Sequence, residues 1–183
     1  MRLNLGSGWH RLDGWTNVDL YADDADVKAD LRTVEFPPGS VSAILSTHTI
    51  EHLEHADAIG LFRRCFTWLE SGGRIAIETP DRAKCMALIN QGKHLEGAKG
   101  IFGGRSINKA GWHQWLVKWA KNNGSASVPN EWNLPGEAHL YVWTAAELSQ
   151  ALADAGFEDV LTETPVYHGA RGWRDCRVTG RKP

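Results

Sequence analysis

The chain has 183 residues, a formal net charge of −2, 42% hydrophobic and 23% charged residues, the make-up of one globular domain with a real core and not of a disordered or fibrous chain. The near-neutral balance leaves no footprint for nucleic-acid binding. No apolar run approaches the about 20 residues of a membrane span, and the N-terminus MRLNLGSGWH lacks the apolar centre of a signal peptide.

Short apolar runs bounded by turn residues alternate with helical spacing along the chain. Residues 3–5 read as a strand that meets Gly6-Ser7-Gly8 at once. Residues 15–20 (WTNVDL), 26–29 (DVKA) and 41–46 (VSAILS) read as three more strands, the last entered through Pro37-Pro38-Gly39. Over 56–69, Ile59, Leu61, Phe62, Cys65, Phe66 and Leu69 fall on one helical face, and Gly72-Gly73 is expected to end that helix. Residues 74–78 (RIAIE) are a fifth strand, closed by Thr79-Pro80. Thr144 and Glu147 form a capping box for a helix over 145–155, stopped at Gly156. Residues 157–164 and 174–181 complete the strands, the last antiparallel to its predecessor because the connection is too short for a crossover helix. The fold class expected is α/β: a Rossmann-like open sheet, mostly parallel with an antiparallel C-terminal strand, in a three-layer sandwich that is N-terminally reduced.

The whole of 1–183 is expected to be a single domain. Its one elaboration is a Trp- and Gly-rich segment at about 90–140, expected to be irregular and to serve as a substrate lid. Trp occurs 9 times in the chain. Trp112, Trp115 and Trp119 stand at i, i+3 and i+7, a helical stripe that reads first as core packing and second as ligand stacking. Charge is uneven. Residues 12–57 hold ten acids and two bases, whereas 81–122 hold eight bases and two acids. The three cysteines, Cys65, Cys85 and Cys176, are far apart and form no CxxC pair. Free thiols in a reducing compartment fit that pattern, so the protein is expected in the cytoplasm.

Three features in chain order point to a nucleoside site. A strand running into Gly6-Ser7-Gly8 lets backbone approach a ligand closely. Asp19 ends the second strand, where an acid accepts from both hydroxyls of a ribose. Asp30-Leu31 ends the third, placed to meet an adenine edge. Each is weak alone, but successive strand ends share one crevice at the switch point of an open sheet.

With these residues, and with LNLGSG, GWTNVDL, KADL, VSAILSTHTIEHL and LFRRCFTWLESGGRIAIETPD, the chain resembles class I S-adenosylmethionine (SAM)-dependent methyltransferases. More narrowly it is similar to short bacterial and phage-type members found with glycan-biosynthesis genes. The resemblance implies SAM as cofactor and S-adenosyl-L-homocysteine as product. It implies that Leu5, Gly6, Ser7 and Gly8 line the methionine and ribose side, Asp19 and Leu20 the ribose, Asp30 and Leu31 the adenine, and Thr47 and His48 the cofactor's flank after strand four. The chain departs from the commoner pattern in three ways. Asn4 stands where many members have an acid. Trp9 and His10 stand where a third glycine would be. Only residues 9–15 separate the Gly loop from strand two, so the usual crossover helix is missing or reduced to a turn. A dinucleotide site would need that helix for its pyrophosphate; SAM has none.

His48-x-x-Glu51-His52 also matches the inverted zinc-peptidase signature, with His48 and His52 as ligands and Glu51 as base. It follows an apolar strand instead of lying within a long helix, so no metal is expected. His52 is expected to be a buried histidine that fixes the loop, with Glu51 as its partner. For a general base, the candidates are His48, Asp81, His113, His139 and His168, with His48, His113 and His139 first. Arg105, Trp112 and Trp115 are the substrate candidates, with the bases around them suited to an anionic acceptor. The expected function is O- or N-methylation of a small-molecule or glycan acceptor such as a sugar nucleotide. No nucleic-acid or membrane partner is expected, and a homodimer is compatible with the sequence. The alternatives from other classes are a non-catalytic SAM-fold binding protein or subunit and a zinc hydrolase using His48, Glu51 and His52.

Overall fold

The computed structural model describes residues 1–103, 139–167 and 171–183. Among them seven strands form one sheet: β1 (Arg2–Leu5), β2 (Thr16–Asp19), β3 (Val27–Lys28), β4 (Val41–Thr47), β5 (Leu69–Pro80), β6 (Glu158–Glu163) and β7 (Asp175–Arg181). Their order is β3-β2-β1-β4-β5-β7-β6. Strand β7 is antiparallel to both of its neighbours and every other pairing is parallel. The flanking helices are α1 (His55–Trp68), α2 (Arg82–Asn90), α3 (His94–Phe102) and α4 (Ala145–Asp154). The expected open, mostly parallel α/β sheet is therefore what forms. No helix among the described residues is long and apolar enough to cross a membrane.

The core lies where α1 and α4 meet the sheet. Leu3, Leu5, Ile44, Ile75, Ile77 and Val178 from the strands pack with Leu61, Phe62, Cys65 and Trp68 of α1 and Leu148 and Leu152 of α4. Leu61, Phe62 and Cys65 face inward as their spacing implies, while Ile59 and Phe66 are partly buried. The Thr144–Glu147 capping box forms at the start of α4.

Two local expectations are corrected. Gly72-Gly73 does not end α1. The helix stops at Trp68 and β5 starts at Leu69 without a linker. The glycines lie inside β5, where the register with β4 shifts between Val41 and Ala43. Gly72 takes φ +79, a conformation open to glycine, and the bulge turns the backbone to exchange hydrogen bonds with Lys182. Residues 94–102, expected within an irregular segment, form α3. Gly97 and Gly100 bring two helices together: a Cβ on Gly97 would stand 2.5 Å from the Cys85 carbonyl, and one on Gly100 would overlap Cys85 Sγ. Residues 104–138, including the tryptophan stripe, lie outside the described residues.

No helix joins β1 to β2. Buried amides hold that connection instead. Asn4 Nδ2 donates to the His10 carbonyl and to Asn17 Oδ1, both at 2.9 Å. Asn17 Oδ1 also accepts from the Leu12 N–H, and Asn17 Nδ2 reaches Asp26 Oδ2 at 2.9 Å. The amide of Asn4 thus donates twice, which an acid at that position could not do.

Candidate functional site

Strand order reverses between β1 and β4, so a crevice opens outside their carboxyl ends. A cleft of about 1190 Å³ occupies it, above the roughly 300–1,000 Å³ of a common ligand pocket. Its lining follows the sheet edge. Asp30, Leu31 and Arg32 come after β3, and Asp19 and Leu20 at and after the end of β2. Gly6, Ser7 and Gly8 follow β1, and Thr47, His48, Thr49 and His52 close and follow β4. Beyond them stand Lys99 of α3, His139, Tyr167, Arg171 and Arg174. The β3–β2 side is acidic and the α3–β7 side cationic.

The Gly loop is fixed by close contacts. Gly6 takes φ +68, and a Cβ there would overlap Thr49 Oγ1 and Cγ2. The Thr49 hydroxyl lies 3.2 Å from both the Leu5 and Gly6 carbonyls. Gly8 N–H donates to Asp19 Oδ2 at 2.8 Å, and Tyr21 and Ala22 N–H donate to Oδ1. Asp19 therefore ties the two loops together and still faces the cleft. Ser7 Oγ and Thr47 Oγ1 are buried with no hydrogen-bond partner among the described residues. Buried hydroxyls are rarely left so, and both stand on the cleft wall.

Not every expected cofactor residue reaches the cleft by its side chain. Leu5 is 1% exposed in the core and is absent from the cleft wall; its carbonyl accepts from Thr49 Oγ1. Leu20 lines the cleft and is exposed. Asp30 is bound by Arg32, whose Nε and Nη2 donate to its carboxylate; the Arg32 hydrogen bonds hold its pKa below the usual carboxylate range. Leu31 is buried.

The histidines separate sharply. His48 follows β4 with φ +50, a left-handed conformation that is uncommon for a non-glycine residue. The ring is clamped: Nδ1 meets Glu51 Oε1 and Nε2 meets Asp175 Oδ2, each at 2.9 Å. Burial pulls its pKa down, but the hydrogen bonds to Asp175 and Glu51 outweigh burial and raise it to about 9. Both ring nitrogens are thus engaged by carboxylates, which favours the protonated ring. Glu51, fully buried, is held as a carboxylate far below its ordinary range: burial opposes this, and the hydrogen bond and charge of His48 prevail. Its second oxygen accepts from Thr79 Oγ1 at 3.0 Å. Glu51 hydrogen-bonds His48, where the sequence pointed to His52; a His52 ring nitrogen nonetheless lies within 4.8 Å of a Glu51 carboxylate oxygen.

His139 lines the cleft and donates from Nδ1 to the Gly100 carbonyl at 2.9 Å. Burial pulls its pKa down to about 4, so the ring is neutral at physiological pH. Its ring centroid is 5.0 Å from that of His52. Asp81, a further base candidate, is 4% exposed, caps α2 by accepting from Ala83 N–H and does not line the cleft. His113, His168, Arg105, Trp112 and Trp115 lie outside the described residues. Sequence reading missed Thr49, Tyr167, Arg171, Arg174 and Asp175. Lys99, one of the bases expected to suit an anionic acceptor, does line the cleft.

Known proteins share this architecture. A possible exported protein from Bordetella parapertussis superposes with a TM-score of 0.56 at 15% identity, over 100% of this chain and 61% of its own. A SAM-dependent methyltransferase from Thermotoga maritima, a possible histamine N-methyltransferase, gives 0.55 at 14%, over 100% and 82%. Phosphoethanolamine N-methyltransferase 2 from Haemonchus contortus, in complex with phosphomonomethylethanolamine and S-adenosylhomocysteine, gives 0.56 at 15%, over 100% and 48%. At such identities the likeness is one of fold, and the chain spans less than two thirds of the first and third of these proteins. No curated protein sequence matches the chain. The family model for a methyltransferase domain, however, matches residues 8–162, which is most of the chain and includes the cleft residues from Gly8 to His139, so the chain belongs to that methyltransferase-domain family.

Proposed function

We propose that the chain is a SAM-dependent methyltransferase acting on a small anionic acceptor, such as a phosphorylated, sugar-nucleotide or acidic-sugar compound. The observation that carries the cofactor half is the pair of unpartnered buried hydroxyls, Ser7 Oγ and Thr47 Oγ1, on a wall that also holds a glycine loop and Asp19. A nucleoside with an amino-acid tail offers hydrogen-bonding groups to each of them. Gly6, Ser7, Gly8 and Thr47 would hold the cofactor's amino-acid side, Asp19 and Leu20 its ribose, and Asp30 and Leu31 its base.

SAM, when bound, supplies a methyl group on a sulfonium. The chain's part is to hold a nucleophile in line with that carbon and to keep water away, which contributes much of the rate in such displacements. The acceptor belongs on the α3–β7 side, where Lys99, Arg171 and Arg174 supply positive charge beside Tyr167. Arg174 is anchored there by Asp175, with Nε to Oδ1 at 2.6 Å. The three cysteines are free and buried, which supports a reducing, cytoplasmic setting.

Calorimetric titration with SAM and S-adenosylhomocysteine tests the cofactor half. Asp19→Asn is expected to weaken both about 10-fold or more, while unchanged affinity removes Asp19 from the site. Turnover over a panel of phosphorylated and acidic sugars tests the acceptor half. Arg171→Glu is expected to raise KM for an anionic acceptor and leave SAM affinity alone. A KM indifferent to that charge reversal overturns the anionic reading, and binding without turnover on any acceptor favours a SAM-fold binding protein.

A further inference from the structure

We propose that Glu51, His52 and His139 form a binding site for a divalent first-row metal ion, with zinc the best match to the donor set. One carboxylate oxygen and one ring nitrogen from each histidine lie within 4.8 Å of one another. Two imidazoles and a carboxylate are the donors of many open zinc sites, which keep a further position for water or substrate.

Three observations show that the arrangement is built and not a chance meeting of surface groups. The first is the tautomer of His139. Its Nδ1 lies 2.9 Å from the Gly100 carbonyl, and a carbonyl can only accept, so Nδ1 carries the proton and Nε2 carries the lone pair. A ligating histidine is normally oriented in this way, by a backbone carbonyl or carboxylate on its other nitrogen. The second is the support of Glu51. It is 0% exposed, its oxygens are steadied by His48 and by Thr79 Oγ1, and each oxygen keeps a second lone pair. The third is the backbone lock between the two segments. The Glu51 carbonyl accepts from Leu140 N–H at 2.7 Å and from Tyr141 N–H at 3.3 Å. That lock sets His139 against the turn that bears Glu51 and His52, although 88 positions separate His139 from Glu51.

The site is not the zinc-peptidase reading of the HxxEH motif. His48 spends both ring nitrogens on carboxylates, Glu51 becomes a ligand in place of a base, and His139, which no short motif contains, supplies the third donor. His52 and His139 also line the cleft, so the ion's remaining positions would face it. If the cleft takes an acceptor as proposed above, an acceptor oxygen could become a ligand there; only this last step rests on that reading.

The test uses the full chain, stripped of metal with a chelator and titrated with zinc chloride by calorimetry. Binding of one zinc per chain is expected, weakened about 100-fold by His139→Gln and by His52→Gln, which is the order expected for removing a direct ligand when outer-shell changes alone cost 10–100-fold. Zinc binding that is absent, or unchanged in both variants, overturns the proposal. Should either variant lose its cooperative melt, cobalt(II) added to the wild-type chain decides: visible absorption bands of cobalt bound by nitrogen and oxygen donors support the site, and the spectrum of the aquo ion overturns it. SAM titrated into the same samples keeps the two readings apart. Zinc bound without SAM sinks the cofactor reading alone, and SAM bound without zinc sinks the metal site alone.

Discussion

Asn4 Nδ2 donates to Asn17 Oδ1 at 2.9 Å, and the two residues stand directly opposite each other in the register of β1 and β2. This pair does the work of a missing crossover helix. Asn17→Ala removes the acceptor for Asn4 and for Leu12 N–H and the amide donor to Asp26, leaving buried groups unsatisfied. The expected loss is about 2–3 kcal/mol, read by urea denaturation. A loss below about 0.5 kcal/mol, the size of an ordinary surface change, would show that the network does not hold the loop.

Asp26 accepts from Asn17 N–H, Asn17 Nδ2 and Arg11. The Asn17 backbone bond leads, and together these lower the Asp26 pKa to about 2. A carboxylate depressed in the folded state contributes stability above its unfolded pKa, near 3.9, and that contribution is lost as pH falls through about 2. Between about pH 4 and pH 2 the wild type is therefore expected to lose stability more steeply than Asp26→Asn. Parallel slopes in thermal melts across that window would remove Asp26 as a source of acid sensitivity.

Gly6 and Gly8 look alike in the sequence and differ in the structure. Both have positive φ, but a Cβ on Gly6 would strike Thr49, whereas one on Gly8 meets nothing within 4 Å. Gly8→Ala is expected to cost about 1 kcal/mol for the left-handed backbone alone. Gly6→Ala adds the overpacking cost of about 1–3 kcal/mol and should abolish SAM binding at concentrations that saturate the wild type. Equal effects of the two changes would contradict the close approach of Thr49 to Gly6.

Gly100 couples the helices to the cleft. Its missing side chain admits Cys85 Sγ, and its carbonyl orients His139. Gly100→Ala is expected to destabilise by about 1–3 kcal/mol through overpacking. Cys85→Ala should recover much of this in the double variant, so that the two changes fail to add. Additive losses would mean that the two helices leave room for a methyl group at this crossing.

What the sequence shows clearly is local. The strands come from apolar runs between turn residues, the glycine loop from residues 6–8, and the cap of α4 from Thr144 and Glu147. Other features resist reading because their partners are distant. His48 finds Asp175 at a separation of 127 residues, and no spacing rule links them. Asp81 reads as a base and is a helix cap, since an acid before a helix and an acid in a cleft look the same in one dimension. Gly72-Gly73 reads as a helix stop because glycine marks both helix ends and bulges, and only the pairing of Leu69 with Val41 tells which.

Strand order has a consequence for how the molecule is assembled. Strand β6 precedes β7 in the chain but pairs with β7 alone, at the sheet's edge. Its attachment to the sheet runs through β7 alone. Asp175, the first residue of β7, supplies one of the two carboxylates that clamp His48. Displacing β7 from β5 would therefore detach β6 and strip His48 of a partner at once, so the sheet's edge and the cleft wall depend on one pairing.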